Sequence, residues 1–178
     1  MAALDDDVEM SARVQVVSAA HLAQSGLPEL SEVEFALTMC NHAFQRWMTR
    51  CMVAAGGPAM SPLEVQILHL VHHRGRAKTL ADLCLMMNIE DTHLASYALR
   101  KLTGHGLIVA GRAGKEKTVA TTARGAELCA AYAKAREALL IEPVLGQGFS
   151  PDELSRLAAL MRTLSGSYDQ AARVAASL

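Results

Sequence analysis

Residues 92 to 117 gather charged and hydrogen-bonding side chains in a pattern suited to gripping a polyanion rather than to making or breaking a bond. Thr92, His93, Ser96, Tyr97, Arg100 and Lys101 fall on the outer side of a helical repeat. Ser96 and Tyr97 centre that face, Thr92 and His93 lie near its start, and Arg100 and Lys101 lie one turn on. Shortly after, Arg112, Lys115 and Lys117 are set around Gly111 and Gly114. Hydroxyls and an imidazole can hydrogen-bond base edges, whereas guanidinium and ammonium groups neutralise phosphates or enter a narrow minor groove. Base reading therefore falls to Thr92, His93, Ser96 and Tyr97, with DNA shape carrying part of the specificity. Arg112, Lys115 and Lys117 are expected at phosphates or in the minor groove.

Other constellations are weaker. His69, His72 and His73 share a helix face at i, i+3 and i+4, and His42 could approach from the preceding helix, which is an arrangement metals use. No nearby cysteine or carboxylate pair completes a tetrahedral set, and histidines at a helix end commonly cap carbonyls, so no metal is assigned. Cys40 and Cys51 sit on an apolar stripe without a cationic neighbour to lower a thiol pKa, which reads as core rather than as an oxidant sensor. Met86 and Met87 read as packing residues. No glycine-rich phosphate loop follows a strand, and spacing assembles no nucleophile, base and orienting acid. An enzyme is not expected, nor is a cofactor.

The composition agrees. The chain has 178 residues, 51% of them apolar and 4% aromatic, with 17 basic residues against 18 acidic ones. That is enough to bury a substantial core and favours packed helices over a sandwich of strands. Total charge is close to neutral, so any charge-driven role is local. Residues 61–125 hold nine Lys or Arg against five Asp or Glu, while the rest of the chain holds eight against thirteen. The positive charge is concentrated around the proposed reader. No apolar run is long enough to span a bilayer, and the start, MAALDDDVEM, is acidic where an export signal would be basic. Four widely spaced cysteines fit a reducing compartment. A cytoplasmic chain with no membrane association is expected.

The elements that must position these residues are set by periodicity and capping. Residues 11–24 form a modest helical candidate. From Leu30 to Ala55, the set Val33, Leu37, Cys40, Phe44, Trp47, Cys51 and Ala54 draws one stripe along a long helix. That stripe exceeds what a short neighbour can cover. After Gly56, Gly57 and Pro58, Ser61 to Glu64 start a helix with a cap, a proline at its first position and a capping-box carboxylate, with Leu63, Ile67, Leu70 and Val71 inward. Thr79 caps a short helix bearing Leu80, Leu83, Cys84 and Met87. Asp91 caps another, with Leu94, Ala95, Ala98, Leu99 and Leu102 inward. Residues 107–110 and 117–121 read as a two-stranded hairpin with a cationic tip. A helix from Thr122 to Glu142 is expected to stop at Pro143, and Ser150 to Glu153 start another that runs to about Ser167 or beyond.

Helix-turn-helix followed by a basic hairpin is the order of a winged helix. The sequence also resembles the MarR family of bacterial winged-helix regulators. The likeness spans about residues 30–165 and is carried by LRKLTGHGLI at 99–108, TTARGAELC at 121–129 and SPLEVQILHLV from Ser61. It implies a homodimer that reads DNA with two recognition helices and two wings, often under a small-molecule or oxidant signal. The family's D-x-R wing tip is replaced here by Gly114, Lys115, Glu116 and Lys117, so Lys115 stands nearest to the wing arginine, and the wing is shortened.

The expectation is thus a mostly α chain: a winged helix-turn-helix with a small β-hairpin wing and flanking N- and C-terminal dimerisation helices. The chain forms a single fold over 1–178, with a winged-helix region at 56–122 and helical dimerisation regions at 11–55 and 123–178. Val33, Leu37, Phe44, Leu139, Leu157 and Leu160 are assigned to the dimer interface. The partners expected are double-stranded DNA, in the form of an inverted-repeat operator, a second copy of the chain and a small-molecule effector. The rival reading, suggested by the missing wing arginines, is an interaction or assembly module that has lost DNA binding.

Overall fold

The computed structural model describes residues 16–178, and the chain divides into two compact units, 1–50 and 51–178. No helix among the described residues is long and apolar enough to cross a membrane.

In the first unit, residues 11–15 of the expected first helix lie outside the described residues. Of the remaining residues only a single turn is helical, α1 (Ala20–Ala23), with no side-chain cap and nothing buried. One turn without an apolar face to pack cannot offset the cost of helix nucleation. Ser31 fastens it, its hydroxyl donating to the Leu22 carbonyl at 2.9 Å. The long helix α2 (Pro28–Ala54) runs as its periodicity predicts and crosses from the first unit into the second. Its stripe is not enclosed: Val33, Leu37, Cys40 and Phe44 are exposed and Trp47 is half-buried, whereas Cys51 is fully buried. Cys40 is therefore not a core residue of the single chain, contrary to the sequence expectation.

The second unit is built around α3 (Pro62–His72), α4 (Leu80–Met87) and α5 (Thr92–Gly104). Capping boxes at Ser61 with Glu64 and at Thr79 with Asp82 start α3 and α4. The inner face of α3 is Val65, Ile67, Leu68 and Val71, while Leu63 and Leu70 are only half-buried. The face is thus rotated by about one residue from the expected one. With Leu83, Ala95, Ala98, Leu102, Leu107 and Ile108, these side chains make the core.

The sheet holds three strands rather than two. β2 (Ile108–Ala113) and β3 (Glu116–Thr121) form the hairpin, and β1 (Lys78–Thr79) pairs with β3, giving the order β1-β3-β2, all antiparallel. A two-residue strand has no periodic signature, so the sequence could not show it. Lys78 explains why it is held: it is 3% exposed, and its ammonium donates to the carbonyls of Val71, His73 and Arg76 at 3.2, 2.7 and 3.3 Å.

α6 (Ala123–Arg136) comes next, and Pro143 does not stop it. The helix widens into a π-helical turn at Glu137–Ile141 and resumes as α7 (Glu142–Gly146). The Glu142 N–H donates to the Glu137 carbonyl five residues back. A wider turn just before a proline relieves the clash its ring would make in a regular helix. α8 (Pro151–Ala175), opened by a Ser150–Glu153 capping box, runs past the expected end and buries no residue.

Candidate nucleic-acid interface

α5 is set by local chemistry at both ends. Asn88 ends α4 in the left-handed conformation (φ 53°), which lets the chain reverse before Asp91. The Asp91 carboxylate then accepts from the His93 N–H at 2.8 Å, fixing where the helix begins. A second tie holds the turn: the Asn88 side-chain amide donates to both carboxylate oxygens of Asp169 on α8, each at 3.0 Å.

Ala95, Ala98 and Leu102 are buried and Leu99 is half-buried, and the opposite side of α5 faces outward. Thr92, His93, Tyr97, Arg100 and Lys101 are exposed and Ser96 is half-buried. Tyr97 and Arg100 are brought together, the guanidinium lying 5.7 Å from the ring centroid, so the cation is held over the ring face rather than free to wander. Leu94 departs from expectation. Assigned to the inner face by its spacing, it is 56% exposed and stands among the polar residues.

The wing sets two of its cations on one face. Arg112 pairs directly with Lys117 across the hairpin and Ala113 with Glu116, leaving Gly114 and Lys115 as a two-residue turn with Gly114 at φ 62°. Directly paired residues point to the same face of a sheet. Two like charges placed side by side repel each other, and a polyanion relieves that repulsion. Arg112, Lys115 and Lys117 are all exposed. Lys78, counted among the basic residues of this region, is not available to a ligand because its ammonium is committed to backbone carbonyls.

The histidines separate. His72 and His73 are exposed, while the His69 ring packs edge-on to Tyr132 with centroids 4.5 Å apart. Burial, with His72 adding to it, holds the His69 pKa below its ordinary value, and its Nε2 is buried without a hydrogen-bond partner. Among the described residues no three His, Cys, Asp or Glu side chains stand close enough to hold a metal ion. Burial raises the pKa of the Cys51 thiol and pushes that of Cys129 up to about 11, which leaves both protonated and unreactive at neutral pH. Sequence reasoning did not find the cleft of about 470 Å³ between α3 and α6, lined by His69, His72, Cys129, Tyr132 and Arg136 among others. Its walls lie some sixty residues apart in the chain, and no local spacing announces them.

Residues 60–125 match the family model described as a winged helix DNA-binding domain. Solved structures similar to the chain include a MarR mutant from E. coli complexed with operator DNA (TM-score 0.62, 15% identity, covering 79% of this chain and 98% of that one). They also include the S. aureus MepR–DNA complex (TM-score 0.61, 17% identity, 76% and 95%). A third is a MarR transcriptional regulator from Methanosarcina mazei Go1 (TM-score 0.60, 14% identity, 78% and 90%). The fold is a MarR-type winged helix. No curated protein sequence matches the chain. In this MarR-type fold α4 and α5 form the helix-turn-helix, α5 is its second helix, and β2 with β3 is the wing.

Proposed function

We propose that the chain is a DNA-binding transcriptional regulator of MarR type, acting as a homodimer on an inverted-repeat operator. The observation that carries this is the pairing of Arg112 with Lys117 on an exposed wing that follows a recognition helix with an outward polar face. α5 reads bases through Thr92, His93, Ser96 and Tyr97. Arg100, Lys101 and the wing cations hold phosphate, and Lys115, nearest in place to the family's wing arginine, acts as a point charge rather than as a fork in the minor groove. Similarity to two structures of protein–DNA complexes supports the reading.

Dimerisation is supported by apolar side chains left uncovered: Val33, Leu37 and Phe44 on α2, Leu139 in the π-helical turn, and Leu157 and Leu160 on α8. Exposed apolar area on this scale marks an interface. The cleft at His69 and Arg136 is the place where a small effector would bind, since it offers an unpartnered imidazole nitrogen and a guanidinium beside an aromatic wall.

The test is retention of promoter fragments from the source genome over a salt series. Binding should fall linearly in log–log form, with each contacted phosphate contributing about 0.9 to the slope. Lys115→Ala with Lys117→Ala should weaken binding, flatten the slope and leave the oligomeric state unchanged. Indifference of binding to these changes, or no retention at low salt, would overturn the proposal in favour of an assembly module.

A further inference from the structure

We infer that Leu94 is a specificity-determining residue that reads thymine methyl groups in the major groove; this rests on the DNA-binding reading above. Leu94 lies in the first turn of α5, three residues beyond the Asp91 cap, where a recognition helix brings side chains to base edges. It is 56% exposed. At 100° per residue it sits about a quarter turn from the direction set by Ala95, Ala98 and Leu102, on the flank it shares with Tyr97 and Lys101 at i+3 and i+7.

That position is chemically odd for a solvated surface. Its neighbours His93, Tyr97 and Lys101 are exposed and polar, and a leucine there gains nothing from water. The major groove offers one apolar group on a base edge, the C5-methyl of thymine, and an aliphatic side chain is the complement to it. The hydroxyls of Thr92 and Ser96, on the opposite flank of α5, can donate or accept, so they discriminate little between bases. Leu94 supplies the discrimination they lack, favouring thymine where the base edge meets the first turn of α5.

The test uses a duplex selected from a random-sequence pool by the full-length protein. Each thymine is replaced singly by uracil, which removes the methyl and leaves pairing and O4 intact, and affinity is read by fluorescence anisotropy at fixed salt. At the thymine facing Leu94 in each half-site, uracil should weaken binding about fourfold, the equivalent of one buried methyl. Leu94→Ala should bind the thymine and uracil duplexes equally, with an unchanged melting temperature, and Leu94→Met should restore the sensitivity to uracil. Uracil without effect at every position, or with the same effect in Leu94→Ala as in the wild type, overturns the inference. Retention of duplex without any sequence preference also overturns it while leaving DNA binding intact. Failure to retain any duplex overturns the underlying reading as well.

Discussion

Gly125, in the first turn of α6, lies directly against the backbone carbonyl of Leu107 at the foot of the wing. A Cβ built on Gly125 would overlap that oxygen and come within 2.8 Å of Thr121 Cγ2. The same carbonyl accepts from the Thr122 N–H at 3.1 Å, and the Thr122 hydroxyl bonds the Gly106 carbonyl at 2.8 Å while accepting from the Gly125 N–H. The last turn of the winged helix is thereby fastened to the helix after it. Gly125→Ala should destabilise the protein by about 1–3 kcal/mol through forced backbone movement, read as a lowered denaturant midpoint. An unchanged midpoint would show that α6 can slide away from β2 at no cost.

Lys78 makes a different prediction from the other basic residues of its region. Lys78→Ala removes the donor to three carbonyls and should cost about 1–3 kcal/mol, the penalty for unsatisfied buried polar groups. Any loss of DNA affinity should disappear at temperatures well below the new melting point. Lys117→Ala should show the reverse, an unchanged melting temperature and weaker binding. A Lys78→Ala variant of native stability would place the ammonium in solvent.

Much of this arrangement was legible in the sequence because it is local. Caps at Ser61, Thr79, Asp91 and Ser150 are written in single side chains, and all four form as read, whereas Thr122, read as part of a helix, is the cap before it. The order of helix, turn, helix and hairpin was therefore recoverable, and with it the exposed placement of Arg112, Lys115 and Lys117. The failures are long-range or small in scale. Leu94 fits an inward spacing of three and four but lies on the flank of that arc, and only the packing of Ala95 and Ala98 shows where the face ends. β1 is too short to have a pattern. Pro143 looks like a terminator, and the π-helical turn that accommodates it depends on a hydrogen bond five residues long. The tie from Asn88 to Asp169 joins residues 81 apart.

The buried imidazole at the α3–α6 cleft should make stability depend on pH. The His69 pKa lies below its ordinary value of 6.5 because burial disfavours the charged form, and His72 adds to this. Between the folded and unfolded pKa values the unfolded chain binds more protons, so stability rises with pH across that window. It should be full above about 6.5, decline as pH falls toward the folded value, and level off below it. His69→Phe, which keeps an aromatic ring against Tyr132, should flatten this decline in urea midpoints measured across the window. An equal slope in the variant would assign the effect to another group.

α8 gives the clearest test of assembly. It is a 25-residue helix, roughly 37 Å long, that buries no side chain within the chain, yet carries Leu154, Leu157, Leu160 and Met161 at helical spacing. A helix this long with an uncovered apolar face is stable when another surface covers it, and about 800 Å² per partner is the usual size of a specific contact. The wild type should therefore sediment at twice the chain mass of 19.0 kDa. Leu157→Glu with Leu160→Glu puts two charges where a two-fold axis would bring them against their copies, and should yield the single-chain mass with helical content retained. DNA affinity should fall with it, because a monomer keeps half the phosphate contacts and cannot span two half-sites. A wild type that sediments as one chain, or a double variant that keeps both its mass and its affinity, would remove α8 from the interface.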